Sequence, residues 1–359
     1  MRRINEILAG EAASTAGTKV IDLNITDLIS RITIVFKGTN STGVPTAHPA
    51  KMVSKIELVD GSDVIFSLSG VECQALNFYE TGQLPETAQM YVNDVQAMAT
   101  FHINFGRYLW DKVLALDPAR FSNLQLKITH NKASGGGTPD AGELAVFADL
   151  MGKDDASPTG FLMAKEIQSY ALTSSAHEYI NLPTDYPYRK LMIASLAAGY
   201  QPFGQYSRIK LSLDNDRVVL INNMKASDLL KFLPGHKRFT EFLVGTGTGS
   251  AEGTYVTSGM WAFAGVAPLA TALAASTVFT QIYGGYLTVL ADSAEMFQAV
   301  INGKAPHGAM EIPFGMPDEP DTWLKMINVG NIKLDVTAGS SVGSSSTCEI
   351  ISQQLRSYK

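Results

Sequence analysis

The sequence is poor in the features that mark secreted scaffolds and proteins that coat nucleic acid. It has only two cysteines, Cys73 and Cys348, which are too few for a disulfide framework and are expected to be buried free thiols. Charged residues make up only 17% of the 359 residues and the formal net charge is −6, which argues against binding phosphates through clustered basic residues. With 45% hydrophobic residues, the composition predicts a well-packed globular protein.

Motifs for catalysis and metal binding are missing as well. The chain contains no G-x-S-x-G, H-E-x-x-H or Walker sequence, and its six histidines are too widely spaced for a local metal motif. The acidic pair Asp154-Asp155 and the acidic run at 318–321 are interpreted as linker and turn residues. We therefore expect no catalytic residue, no metal site, no cofactor and no small-molecule substrate.

One uncharged run tests whether the chain enters a membrane. Residues 259–275 carry no charge, but the run is short for a bilayer span and has Pro268 in its middle. We interpret it as a buried or interface-forming element.

The chain does contain an internal repeat, which is the first feature to test because a missed repeat leads to a wrong fold. Four blocks occur twice in the same order: 21–32 and 180–191, 54–79 and 207–233, 103–106 and 312–315, and 123–129 and 331–337. The last two blocks are displaced further than the first two, which places an insertion in the second copy between Leu233 and Ile312. Similar alternation in unrelated half-buried strands is the alternative explanation.

Local patterns within each copy indicate short strands, hairpins and one or two short helices. Asp60-Gly61 predicts a hairpin turn, and Ser69-Gly-Val-Glu72 predicts a capping box that begins a helix. In the second copy, Asn222-Asn223 occupies the corresponding cap position. We therefore predict an all-β fold, with a β-sandwich of the jelly-roll type in each copy. Phe105 and Phe314 should then be buried at equivalent places.

These patterns divide the chain into segments. Residues 1–17 are predicted to form an N-terminal helix or arm, because Ile4, Ile7 and Leu8 share one helical face with arginines beside them. The predicted domains are a first jelly roll at 18–152, a linker at 153–165, and a second jelly roll at 166–359 with an inserted loop or tower at about 240–300.

The repeated blocks, the insertion and the absence of catalytic motifs resemble the double jelly-roll major capsid proteins of the tectivirus, corticovirus and adenovirus lineage. The chain looks like a small bacteriophage member of that lineage. The resemblance implies two tandem eight-stranded jelly rolls with short helices, and a homotrimer with a pseudo-hexagonal outline. It also implies that such capsomers tile an icosahedral shell with penton and minor capsid proteins, in a virion assembled in the host cytoplasm.

The resemblance also implies where contacts lie. N-termini in that lineage frequently face an internal membrane or the genome, so Arg2, Arg3, Ile4 and Ile7 are predicted to contact the inner surface. A helix packed against its own domain is the alternative. Trp261 and Phe263 in the insertion are predicted to form inter-subunit contacts.

A second function remains open at this point, namely a bilobed jelly-roll hydrolase acting on glycans. Such an enzyme needs Asp, Glu and Trp side chains that converge from both halves. Trp110, Trp261 and Trp323 are widely spread in the sequence, and no acidic cluster stands out.

Overall fold

A computed structural model describes residues 1–41, 45, 47–137, 139–246, 253–268, 278–282, 284–290 and 296–358. The side chains of residues 253, 261, 262, 268, 278–282 and 290 lie outside this description. The described chain is mostly β-strand and forms two similar lobes.

The first lobe contains nine strands and one α-helix. They are β1 (Arg2–Ala12), β2 (Ala16–Asp22), β3 (Leu28–Asn40), β4 (Val53–Asp60), β5 (Asp63–Leu68), α1 (Gly70–Thr81), β6 (Thr87–Tyr91), β7 (Gln96–Asn104), β8 (Leu124–Asn131) and β9 (Pro139–Met151). Short 3-10 helices span Pro49–Met52, Pro118–Arg120 and Lys132–Gly135. As predicted, Ser69 and Glu72 form a capping box at the start of α1.

The second lobe has the same order of elements, interrupted by an insertion. They are β10 (Gly160–Ala171), β11 (His177–Leu182), β12 (Tyr188–Ala194), α2 (Pro202–Gln205), β13 (Tyr206–Leu213), β14 (Val218–Lys225), α3 (Ala226–Phe232), β15 (Phe239–Thr246), β16 (Gly253–Tyr255), β17 (Ser258–Pro268), β18 (Val278–Ile282), β19 (Tyr286–Leu290), β20 (Met296–Pro306), β21 (Ala309–Pro313), β22 (Ile332–Ala338) and β23 (Thr347–Ser357). A 3-10 helix spans Pro320–Thr322.

Strand order is identical in the two lobes. In the first lobe, four strands pair in the order β1-β9-β3-β7 and four in the order β2-β8-β4-β5. In the second, the orders are β10-β23-β12-β21 and β11-β22-β13-β14. All pairs within these four-strand groups are antiparallel. This is the strand order of a jelly roll twice over, so the predicted double jelly-roll fold is confirmed.

The register and the hydrogen bonds repeat as well. Ile32 lies opposite Ile103 in the first lobe, and Leu191 lies opposite Ile312 in the second. Asp60 accepts hydrogen bonds from the two backbone N–H groups before β8, and Asp214 accepts them from the two before β22. Because these bonds join segments distant in the sequence, chance similarity of single strands does not account for them.

The two phenylalanines predicted to be equivalent occupy matching places. The N–H of Phe105 donates to the Ser30 carbonyl, and the N–H of Phe314 donates to the Arg189 carbonyl. Phe105 is fully buried, whereas Phe314 is half-buried and meets the Tyr188 ring edge to face.

The insertion joins the first lobe rather than standing apart from it. Strand β15 runs parallel to β6, and β20 and β17 extend the same sheet to the order β1-β9-β3-β7-β6-β15-β20-β17. Strands β16, β19 and β18 form a separate small sheet. Residues 247–252, 269–277, 283 and 291–295 of the predicted loop or tower lie outside the described residues.

The core consists of one apolar cluster in each lobe, and the sheet that contains β12 contributes to both. Leu191 and Ile193 face the second-lobe cluster, whereas Met192 and Ala194 belong to the first-lobe cluster. Every residue of β12 is buried, as expected of a strand covered on both faces.

Three predicted local features are wrong. The second lobe begins inside the predicted linker at 153–165, because Gly160–Ala171 forms β10 and pairs with β23. The N-terminal segment is not a helix, because Arg2–Ala12 forms β1 and pairs with β9. The second helix begins at Ala226, with Lys225 at its cap and no side-chain capping bond, so Asn222-Asn223 is not the cap. Asn223 instead has φ of 47°, opposite an irregularity in the β13–β14 pairing.

Candidate functional site

The candidate functional site is the junction between the lobes, because two buried polar clusters and three buried histidines lie there. Strand β5 of the first lobe runs parallel to β10 of the second, with Phe66 opposite Ala164 and Ser67 opposite Lys165. This pairing joins two four-strand groups into one sheet, β2-β8-β4-β5-β10-β23-β12-β21.

Helix α1 covers the second-lobe sheet beside this pairing. The Phe78 ring packs against Phe239 with centroids 4.9 Å apart. The Tyr79 hydroxyl donates to the Ala309 carbonyl at 2.8 Å. The C-terminal end of α1 therefore fastens the first lobe to the second.

A buried ion pair lies under the end of α1. Lys190 Nζ is 2.5 Å from Glu311 Oε1, both side chains are 5% exposed, and Nζ also donates to the Tyr79 carbonyl at 2.9 Å. Burial lowers the pKa of Lys190, and the Glu311 carboxylate opposes that shift. Lys190 makes all of these contacts only when the two lobes are together, because the Tyr79 carbonyl belongs to the first lobe.

A second polar cluster surrounds Glu241 on β15. Its carboxylate accepts bonds from the backbone N–H groups of Thr257 and Ser258, both at 2.8 Å, and from Gln89 Nε2 at 2.7 Å. Burial raises the pKa of Glu241, and these donors oppose the shift. The cluster ties β6 of the first lobe to the turn before β17.

Three buried histidines also bridge the lobes. His48 Nε2 lies 2.9 Å from Thr257 Oγ1, and His307 Nε2 lies 3.1 Å from Gln74 Oε1. His236 Nδ1 lies 3.2 Å from the Tyr79 hydroxyl. Burial lowers the pKa of His48, and it lowers those of His236 and His307 to about 4 and about 3. These side chains are therefore neutral at pH 7 and act as hydrogen-bonding contacts.

Two carboxylates near the junction, those of Asp111 and Glu80, have partners that leave little room for acid–base chemistry. Asp111 is held by Arg107 at 2.6 Å, and Glu80 accepts bonds from Asn104 and Gln353. Across the described ranges, no three His, Cys, Asp or Glu side chains come together as a possible metal site. In those same ranges no helix is long and apolar enough to span a membrane.

The N-terminal residues predicted to contact an inner surface lie on an edge strand. Arg3 forms an ion pair with Asp27, and the Arg2 guanidinium lies 4.8 Å from the centre of the Trp110 ring. Ile4 is 70% exposed, whereas Ile7 packs against the first-lobe core. The structure thus brings the two arginines to partners within the chain.

The residues predicted to form inter-subunit contacts lie on β17, at the end of its sheet. Phe263 is 60% exposed. The backbone of Trp261 pairs with Gly303, and its side chain lies outside the described residues. Cys73 and Cys348 are buried and free, as predicted.

Sequence reasoning missed the junction groups because each appears unremarkable along the chain. Lys190 follows Arg189 on β12 and Glu311 lies on the short strand β21, and charged residues in strands are mostly exposed to solvent. The one available signal was the repeat itself, since two similar lobes in one chain require a contact between them.

The comparisons with known proteins agree with this fold. No family model matches the chain, and no curated protein matches its sequence. Among solved structures, the chain is similar to the major capsid protein P2 from bacteriophage PM2, at TM-score 0.57 and 10% identity, covering 100% of this chain and 98% of that one.

Two further solved structures are similar over nearly their whole length. The STIV MCP matches at TM-score 0.57 and 12% identity, covering 99% of this chain and 96% of that one. PBCV-1 VP54 matches at TM-score 0.56 and 12% identity, covering 99% and 94%. At these identities the likeness shows the fold, so the chain has the double jelly-roll fold of these proteins.

Proposed function

We propose that this chain is a viral major capsid protein that forms a homotrimer and, through it, an icosahedral shell. The observation that carries the proposal is the duplication: two lobes with the same strand order and register lie side by side in one chain. Three such chains present six similar lobes, which suits a hexagonal lattice. A solved structure that the chain matches along its whole length, P2 from bacteriophage PM2, is described as a major capsid protein.

The proposed role requires the chain to associate with copies of itself and requires no catalytic reaction. Its function is the burial of surface between copies, which in permanent assemblies amounts to about 2,000 Å² or more per interface. Penton and minor capsid proteins would complete the shell in a virion assembled in the host cytoplasm, and a bacteriophage origin is part of the prediction. The alternative glycan hydrolase gains no support, because the junction carboxylates described above are engaged in ion pairs and hydrogen bonds.

The contact of Arg2, Arg3, Ile4 and Ile7 with a membrane or genome stays a prediction. The helix on which it was based does not form, because this segment is strand β1, and both arginines have partners within the chain. Contacts of Trp261 and Phe263 with other subunits also stay a prediction, and the exposure of Phe263 supports it.

The experiment is to express the chain and measure its mass in solution by light scattering, then image it by electron microscopy. We expect a species of three times the 38.6 kDa of one chain, with a six-lobed outline. A monomer at every concentration, or one that hydrolyses a glycan panel, would contradict the proposal.

A further inference from the structure

Two strands of the chain correspond to the two strands that pair at the lobe junction. Each of these two counterparts lies at the edge of its sheet, and the edge that would form a junction has no partner strand among the described residues. In the first lobe β5 pairs with β10 of the second. The strand equivalent to β5 is β14, and the strand equivalent to β10 is β1. Among the described strands, β14 pairs with β13 alone and β1 with β9 alone.

The equivalence of β1 and β10 rests on their pairing. Asn5 lies opposite Ala148 on β9, and Lys165 lies opposite Ser352 on β23. Both strands then shift register at the same step, between Glu6 and Leu8 in β1 and between Glu166 and Gln168 in β10. This shared irregularity fixes which residues correspond, and Ile4 corresponds to Ala164.

Burial differs sharply between these counterparts. Residues 161–164 at the start of β10 are all buried, whereas residues 1–4 at the start of β1 are all exposed. Ala164 is 2% exposed and its counterpart Ile4 is 70% exposed. The difference arises because β10 is covered by another lobe and β1 is not.

The other edge shows the same contrast. Ile65 on β5 is fully buried, whereas its counterpart Leu220 on β14 is 39% exposed, and the neighbouring Val218 and Val219 are each 40% exposed. An apolar run on an unpaired edge strand promotes association with another strand, and proteins normally protect such edges with charges or coverage. Here the run from Val218 to Leu220 carries no charge and its side chains stay exposed within the single chain.

The helices repeat the pattern beside these strands. Phe78 near the end of α1 is 1% exposed and packs against Phe239 on β15. Phe232 at the end of α3 is 58% exposed. The second lobe thus presents the helix end and edge strand that the first lobe uses at the junction.

We propose that β14 and α3 of one copy dock on β1 of the next copy, in the way that β5 and α1 meet β10 within the chain. A head-to-tail contact of this kind generates a closed ring when its rotation closes, and the proposed trimer needs six equivalent lobe-to-lobe contacts in one turn. The inference rests on the proposed function and names the surface that performs it. The partner is a second copy of this chain.

The internal junction also sets the register between copies. Phe66 pairs with Leu58 across β4–β5, and Ile221 pairs with the matching Leu211 across β13–β14, so Ile221 corresponds to Phe66. Because Phe66 lies opposite Ala164, Ile221 of one copy lies opposite Ile4 of the next.

Cysteine cross-linking tests this register directly. The variant Ile4→Cys/Ile221→Cys should form disulfides between copies on mild oxidation, because paired strands lie about 4.8 Å apart, within disulfide reach. Non-reducing gels should show covalent dimers and trimers. Mixing Ile4→Cys copies with Ile221→Cys copies should give covalent dimers, which proves that the bond joins different chains.

Two matched pairs control the geometry. Ser67→Cys/Lys165→Cys places cysteines at the internal junction and should close a bond within one chain. Ile4→Cys/Leu220→Cys shifts the register by one residue, turns one side chain to the opposite face and should cross-link at least about tenfold more slowly. The native thiols of Cys73 and Cys348 are buried and should not react.

A second variant tests the contact without oxidation. Leu220→Lys puts a charge on the proposed interface at a position that is exposed in the single chain, so the chain should fold normally and the trimer should dissociate about 100-fold more readily. Phe242→Lys, on β15 at a position that is 68% exposed, is the matched control and should leave the trimer intact, because β15 lies in a different sheet from β14 and four strands separate it from β1.

The outcomes separate this inference from the proposed function. Trimers that resist Leu220→Lys and form no Ile4–Ile221 cross-link, while the internal pair closes, would overturn the docking surface and leave the capsid proposal standing. Failure of the wild-type chain to associate at all would overturn both. Covalent trimers from the double variant, lost in the Leu220→Lys background, would support both.

Discussion

At the scale of single residues, the contact between the lobes depends on a buried ion pair. Replacing Lys190 by Met leaves the Glu311 carboxylate buried without its cation, so Lys190→Met should lower the free energy of unfolding by about 3–5 kcal/mol. Chemical denaturation with matched m-values measures the change.

The double variant Lys190→Met/Glu311→Met is the control for this prediction. Because it removes both charges, it should recover most of the lost stability, leaving mainly the cost of the unpaired Tyr79 carbonyl, about 1–3 kcal/mol. Additive losses in the double variant would show that the pair does not act as a unit. The sequence could not reveal that this pair is buried, because the repeat places β12 beside β21 within the second lobe but says nothing about the first-lobe helix that covers the pair.

At the scale of elements, the repeat predicted most strands, and the failures have physical causes. Strand β1 appeared helical because Ile4, Ile7 and Leu8 fit a 3.6-residue period, and its register shift after Glu6 breaks the two-residue alternation of a regular strand. The better signal was Glu6-Ile7, which recurs as Glu166-Ile167 in β10. The insertion could not be placed because β15 pairs in parallel with β6, a contact that leaves no pattern in the sequence.

The two equivalent helices differ in how they begin, which predicts opposite effects of cap substitutions. Ser69 caps α1 by accepting from the Glu72 N–H, so Ser69→Ala should destabilise the chain by about 1 kcal/mol. Lys225 caps α3 without a side-chain bond, so Lys225→Ser should stabilise it by about 0.5–1 kcal/mol. Thermal unfolding compares the two variants with the wild type, and equal shifts in the same direction would contradict this account.

At the scale of the whole molecule, the duplication predicted the architecture because each copy carries the pattern of a complete jelly roll. The duplication could not predict how extensively the two lobes of one chain are joined. Two sheets run across both lobes, and strand β12 is buried along its whole length. We therefore expect the lobes to unfold together, in one calorimetric transition. Two separated transitions would indicate a loose junction instead.

The bridging histidines should make the stability of that junction depend on pH, and the direction of this dependence follows from their lowered pKa values. Burial lowers the pKa of His236 from 6.5 to about 4, so between these values the unfolded chain binds a proton that the folded chain does not. The stabilisation is complete above pH 6.5 and falls as the pH approaches 4. Glu72, whose pKa burial raises to about 7, acts with the opposite sign, so the comparison must be between the wild type and His236→Gln.

Gln at position 236 keeps a donor for the Glu311 carbonyl but does not titrate. The stability advantage of the wild type over His236→Gln should therefore be largest near pH 7.5 and about 2 kcal/mol smaller at pH 5. Denaturant titrations of both chains at the two pH values measure the difference. An advantage that does not change with pH would mean that this imidazole either is charged in the folded chain or remains open to solvent, and the neutral bridge between the lobes would have to be abandoned.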